Sequence, residues 1–279
     1  MEKFVHTVER VDGVMKIRDY MKFRLGFSTK LIGKVKYGGV FLNGKNVHMR
    51  AEVKNGDALT VYYPEENSEN VPPMDIPLTV VYEDDAILVV DKPSDMPIHP
   101  SRGNHLPTLA NAVSYYMGGQ FVFRAITRLD RDTSGLVLIA KHQLAAAELG
   151  REIMAGGIDQ VYHARVVGVP SENEGKISAK IARESEDSIR RVVREDGKDS
   201  LTLYRILSVD EEGNALVEAR PITGRTHQIR VHLAHIGHPL KDDFLYGEQP
   251  GEAVYYLRCV SLTFTHPMTK ARMCLKSEE

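Results

Sequence analysis

Five consecutive apolar residues, Leu136-Val137-Leu138-Ile139-Ala140, follow directly on a knot of polar ones, and this junction limits the fold more tightly than any other stretch of the chain. A short apolar run rich in branched side chains suits a strand buried on both faces. Just before it, Arg128, Asp130, Arg131, Asp132, Thr133 and Ser134 crowd seven positions that end at Gly135. That composition belongs to a loop held at the mouth of the strand. A salt-bridged turn and a functional loop both fit these residues taken alone.

The 279 residues leave room for one sizeable domain and a small module. Met1 to His6 lacks the basic-then-apolar layout of a signal peptide, and no apolar run approaches the length of a membrane span, so a cytoplasmic protein with no membrane partner is expected. Cys259 and Cys274 lie far outside any Cys-x-x-Cys spacing and read as free thiols. The net charge of −2 conceals a segregation. Residues 1–63 hold twelve basic and six acidic side chains, which gives +6 there and leaves −8 on the remainder. A basic module on an acidic body points to a polyanionic partner, although a merely solvated basic face is an equal contender on charge alone.

Within that module Val14, Ile17, Met21 and Leu25 fall on one helical face, predicting an amphipathic helix over 14–25. Ser28 or Thr29 can cap a second helix containing Leu31, Ile32 and Val35, which Gly38-Gly39 ends. Val40-Phe41-Leu42 then meets Asn43-Gly44, a strong hairpin signal, and a further strand is expected over 57–62. Residues 64–76 are acidic and proline-containing, as in a linker.

Beyond the linker, strands are expected at 78–82 and 86–90 as a hairpin, then at 136–140, 161–169, 176–182, 189–193, 201–207 and 215–219, with helices over 108–116 and 142–154. Strands dominate, and the class is α+β: a mixed, largely antiparallel sheet over 77–279 with a few helices packed on it. No glycine-rich phosphate loop follows any strand.

A second polar knot, Thr223-Gly224-Arg225-Thr226-His227-Gln228-Ile229-Arg230-Val231-His232, opens a helix from about Thr226. His227 and Arg230 would share a face there, while Ile229 and Leu233 pack, so that Arg230 could reach a carboxylate. His232, His235 and His238 form no metal site, because Pro239 argues against a helix continuing through Gly237. Ser134 sits in Thr-Ser-Gly before a strand rather than on a nucleophile elbow, which disfavours a serine hydrolase.

Three elements together resemble the RluA-type pseudouridine synthases. They are Arg128 to Gly135, which matches Arg-Leu-Asp-x-x-Thr-Ser-Gly, Gly224 to His232, and the strand Tyr162-His163-Ala164-Arg165-Val166-Val167-Gly168. Asp91-Lys92-Pro93, Gly237-His238-Pro239 and Tyr246-Gly247 add to a likeness spanning about 76–279. Residues 12–63, with Gly39-Val40-Phe41-Leu42-Asn43-Gly44-Lys45 and Lys54-Asn55-Gly56-Asp57, resemble a small RNA-binding module known from a ribosomal small-subunit protein. The resemblance implies a catalytic role for Asp130, an active-site tyrosine at Tyr162, and an arginine paired with the catalytic carboxylate at Arg230. It implies substrate contacts from Arg128, Thr133, Arg225 and His227, with Arg128 helping to displace the target base. The family often has histidine, lysine and glycine where this chain has Thr127, Gln160 and Asp242.

The implied reaction moves uracil from its nitrogen–sugar bond to a carbon–sugar bond with no net redox change, and no cofactor or metal is expected. The expected partner is RNA, ribosomal RNA foremost, acted on by a monomer. A non-catalytic RNA-binding or ribosome-assembly protein of the same fold is the main rival, but has no chemical use for Asp130, Tyr162 and Arg230 together. A glycosidic-bond hydrolase would need a second carboxylate, for which Asp132 is the near candidate.

Overall fold

A computed structural model describes residues 2–27, 29–64, 71–100, 107–119, 121–247 and 255–277. The N-terminal module comprises β1 (Glu2–Thr7), β2 (Met15–Lys16), α1 (Ile17–Phe23), α2 (Thr29–Val35), β3 (Val40–Leu42), β4 (Lys45–Asn46), β5 (Glu52–Val53) and β6 (Ala58–Tyr63). Its sheet runs β1-β6-β3-β4, with β2 and β5 forming a separate pair. Asn43 and Gly44 both take positive φ, 50° and 78°, and turn β3 into β4 as their sequence predicts. Helix α1 is shorter than its pattern suggests, because Met15 and Lys16 are drawn into pairing with Val53 and Glu52 while Val14 stays exposed. The cap proposed at Ser28 lies outside the described residues; Thr29 is itself helical. Ile17, Tyr20, Met21, Phe27, Leu31 and Val35 bury the helices against β6, and Leu144 from the larger part of the chain completes this cluster.

The larger part contains β7 (Thr79–Glu83), β8 (Ile87–Lys92), α3 (Leu109–Tyr116), β9 (Ser134–Ala140), α4 (Gln143–Met154), β10 (Asp159–Val166), β11 (Glu174–Ser178), β12 (Ile181–Arg183), β13 (Arg191–Val193), β14 (Leu201–Val209), β15 (Ala215–Pro221), α5 (Gln228–His235), β16 (Leu257–Thr265) and β17 (Arg272–Lys276). The main sheet is ordered β11-β14-β15-β10-β16-β9-β8-β7, with β17 alongside β16. Every pairing in it is antiparallel except β9 with β16. The fold is α+β with a largely antiparallel sheet.

Strand β9 is an interior strand between β16 and β8, and Leu136 to Ala140 are completely buried. Helix α3 starts in a capping box between Thr108 and Asn111, and α4 is capped by the His142 ring accepting from the Ala145 amide at 3.2 Å. Residues 71–76, at the end of the expected linker, lie along α3: Asn111 donates to the Pro72 carbonyl at 2.8 Å and Ser114 to that of Val71 at 3.2 Å. Among the described residues no helix is long and apolar enough to cross a membrane. Both cysteines are free, Cys259 buried and Cys274 exposed.

Candidate active site

The loop ahead of β9 is pinned before it presents any side chain. At one end the Leu138 amide donates to Thr127 Oγ1 at 2.9 Å. At the other, Lys92 is fully buried and its Nζ donates to the carbonyls of Pro93, Met96 and Arg131 at 2.7, 2.9 and 2.9 Å. Ser94 Oγ donates to the Asp132 carbonyl at 2.7 Å, and the Met96 amide to that of Arg131 at 3.1 Å. Burial pushes the Lys92 ammonium down to about 8, against which Asp132, Asp130, Asp95 and Asp91 supply partial compensation.

Gly135 closes the loop. Its φ is 108°, and a side-chain carbon there would lie 2.3 Å from the Cys259 carbonyl oxygen, so only glycine lets β9 come this close to β16. The polar knot therefore serves both readings: Arg131 grips Asp132 through two hydrogen bonds of 2.8 and 3.0 Å, while Asp130, one position earlier, turns toward a cavity of about 800 Å³. Asp132 is buried in that clasp, and the hydrolase reading loses its second carboxylate.

Helix α5 begins at Gln228, two residues later than its sequence suggests, because His227 adopts a left-handed backbone with φ 58°. The side chains of His227 and Arg230 nevertheless converge on one acid. Arg230 NH1 is 3.8 Å and His227 Nε2 3.9 Å from Asp130 Oδ2. Arg230 is 2% exposed and spends its other nitrogens on Asp243, with Nε and NH2 each 2.7 Å from a carboxylate oxygen. Its guanidinium lies 4.5 Å from the Tyr255 ring centre, 5.0 Å from that of Tyr246 and 5.4 Å from that of Phe244. Burial opposes its charge, and Asp243 more than offsets this, so the group stays cationic. Arg230 therefore faces two carboxylates: a buried one that fixes it and a part-exposed one at the cavity.

His227 Nδ1 is 2.8 Å from the Tyr246 hydroxyl, which accepts from the Arg191 amide at 2.9 Å. Burial lowers the affinity of His227 for a second proton. A neutral imidazole next to Asp130 adds a polar edge without competing with Arg230 for the carboxylate.

Tyr162 lies on β10, opposite Cys259 on β16, and also lines the cavity. The residue is 6% exposed, and burial holds its hydroxyl protonated far above the ordinary range. Gln160, on the same face of β10, donates to Cys259 Sγ at 3.6 Å. Arg128 and Arg225 are exposed at the cavity wall, Arg225 donating to the Asp199 carbonyl at 3.1 Å. Thr133 is buried at 2% with its hydroxyl 3.4 Å from that of Tyr255, so it reaches the cavity only from beneath.

The structure thus gathers Asp130, Tyr162, Arg230, Arg128, Arg225, His227 and Thr133 around one cavity. Asp243, Tyr246, Tyr255 and Lys92, from outside the expected set, do not line the cavity but hold the residues and the loop that do. Two of the histidines downstream of Arg230, His232 and His238, have structural partners. His232 is buried with Nδ1 2.9 Å from Thr202 Oγ1 and Nε2 3.0 Å from the Ala179 carbonyl, and His238 Nδ1 lies 2.9 Å from the Val167 carbonyl.

The reactive arrangement is a carboxylate at a cavity with a fixed buried cation behind it and a neutral aromatic surface beside it. Such a site can hold an anion ready as nucleophile or base and can seat a planar ring. Comparison with known proteins identifies the family. A family model described as RNA pseudouridylate synthase matches residues 86–235. An uncharacterized RNA pseudouridine synthase of Bacillus subtilis is 36% identical over 266 residues, covering 93% of each chain. Ribosomal large subunit pseudouridine synthase D of Xanthomonas campestris is 39% identical over 216 residues, covering 76% of this chain and 65% of that protein. Among solved structures, the human RNA pseudouridylate synthase domain containing 1 superposes with a TM-score of 0.64 at 27% identity, covering 75% of this chain and 86% of that one. The matched segment contains the Asp130 loop, Tyr162 and Arg230, and on these grounds the chain belongs to the RNA pseudouridylate synthase family.

Proposed function

We propose that this RNA pseudouridine synthase acts on ribosomal RNA and uses Asp130 as its catalytic carboxylate. The observation that carries the assignment is the doubly paired Arg230. Asp243 holds it in place, and its remaining face is 3.8 Å from Asp130, the one carboxylate of the pair open to the cavity. A carboxylate held at a cavity in this way can serve either as nucleophile or as base. In the reaction the bond from the sugar C1′ to N1 of uracil breaks and a bond from C1′ to C5 forms. The C5 hydrogen leaves as a proton, and N1 ends carrying one.

Tyr162 supplies the surface on which the displaced ring rests. Arg128 and Arg225 stand at the opening, where phosphates flanking an extruded nucleotide would lie. Residues 1–63 are the RNA-binding module, 64–76 the connection and 77–279 the catalytic domain. The ribosomal substrate is supported by the large-subunit relative and by the +6 charge of the module.

Replacing Asp130 by Asn tests the assignment. Tritium release from RNA labelled at uracil C5 should fall by roughly 10²–10⁴-fold or more, with RNA affinity nearly unchanged. Turnover equal to the parent's would remove Asp130 from the chemistry. Mapping pseudouridine in ribosomal RNA from cells with and without the gene identifies the substrate, and unchanged maps would overturn the ribosomal assignment.

A further inference from the structure

We infer that Phe23 and Tyr37 are stacking stations for unpaired RNA bases, which would make the N-terminal module a reader of loops or bulges; the inference rests on the RNA-binding role of residues 1–63. Tyr37 is 80% and Phe23 63% exposed, whereas the next most open aromatic among the described residues, Tyr115, is 51% exposed. Both of the most open rings therefore lie in the basic module. Phe23 is the last residue of α1, and Tyr37 stands in the turn just past α2. The module's core takes Tyr20 and Met21 from α1 and Val35 from α2 and leaves these two rings outside.

The two sites share one construction. Lys22 Nζ lies 5.3 Å from the Phe23 ring centre, and Lys36 Nζ 4.5 Å from that of Tyr37. A single exposed aromatic is unremarkable on a protein surface. A lysine-backed aromatic that recurs at the ends of both helices of a segment carrying +6 matches a specific ligand chemistry. An ammonium over one face of a ring polarises it and leaves the other face for a base, while the same ammonium is within reach of the adjoining phosphate. An A-form duplex offers phosphates and ribose hydroxyls but hides its base faces inside the stack. A module built for duplex alone would use the lysines and have no partner for the rings. Unpaired nucleotides beside a helix use both.

The test compares the full-length protein with F23L/Y37L, which keeps apolar bulk but removes both π faces, and with K22Q/K36Q. Binding is measured by fluorescence anisotropy across a salt series, to a hairpin with an unpaired loop and to a blunt duplex of equal length. F23L/Y37L should lose about tenfold or more in affinity for the hairpin, since each stacked base contributes substantially, and should bind the duplex within about twofold of the parent. Its dependence of log K on log salt should be unchanged, whereas K22Q/K36Q should flatten that slope by about 1 to 2 on both RNAs. Equal losses on the two RNAs, or no loss from F23L/Y37L, overturn the stacking inference. A flattened slope in K22Q/K36Q would then still uphold the module as the RNA contact. If neither variant changes affinity or slope, the RNA-binding role of the module fails as well.

Discussion

Replacing Asp243 by Ala isolates the part of the site that a change at Asp130, the proposed catalytic aspartate, cannot report on. Asp243 is fully buried, Arg230 is 2% exposed, and two hydrogen bonds of 2.7 Å join them. Removing the carboxylate strands a guanidinium among Tyr255, Tyr246 and Phe244. Asp130, at 3.8 Å and with its side chain 29% exposed, is too distant and too wet to replace it. Losing one partner of a buried ion pair costs about 3–5 kcal/mol. Asp243 Oδ1 also accepts from the amides of Leu245 at 3.0 Å and Tyr246 at 3.3 Å, which places the expected loss toward the upper end. For a chain of this size that corresponds to a fall in melting temperature of roughly 6–20 °C. Adding Arg230→Met to Asp243→Ala removes the stranded charge, so the double variant should melt above the single one. Its turnover should stay lost, because Asp130 no longer has its cation. Thermal unfolding by circular dichroism and tritium release from C5-labelled RNA separate the two effects. A single variant within about 1 kcal/mol of the parent, or a double variant no more stable than the single, would refute the buried-pair argument.

Two further outcomes follow from the loop supports. Lys92 titrates near 8 when folded and near 10.5 when unfolded, so its burial penalty is fully present below pH 8 and is relieved as pH rises to 10.5. The stability of the parent relative to Lys92→Met should therefore climb by roughly 3 kcal/mol across that window, and a flat difference in denaturant titrations would remove the buried ammonium from the account. Gly135→Ala should cost roughly 3 kcal/mol or more, from the left-handed backbone and the clash with the Cys259 backbone. A melting temperature unchanged from the parent's would show that β9 and β16 can part without penalty.

The proposed catalytic half of the site is visible in the chain because its residues lie in two dense polar knots next to apolar runs. Asp130 and Arg230 stand out there through composition. Asp243 does not, since neighbouring Asp242 has the same side chain, and only the three-dimensional course of the turn decides which carboxylate goes inward. The adjacent φ of 66° at Asp242 is the backbone feature that separates them. Strand β16 is concealed for a different reason. Leu257 and Cys259 point inward, as do Leu262 and Phe264, but the frame slips between the pairs. The same slip appears as the register shift at Val161 and Tyr162 on β10, and a β-bulge of this kind breaks the alternation by which a half-buried strand is recognised. The helix over 14–25 reads longer than α1 because the strand pairing that claims Met15 and Lys16 is set by residues far along the chain.

The position of β16 between β9 and β10 has a consequence for biosynthesis. The loop bearing Asp130 leads into one of those neighbours and Tyr162 lies on the other, yet the strand that spaces them is translated long after both. A nascent chain that has emerged through α5 already contains every proposed catalytic side chain and still has no fixed distance between the acid and the aromatic ring. Parallel pairing over so long a sequence separation forms slowly. Competence is therefore expected late and all at once, when β16 inserts, so that unfinished chains meeting RNA during translation are binders at most.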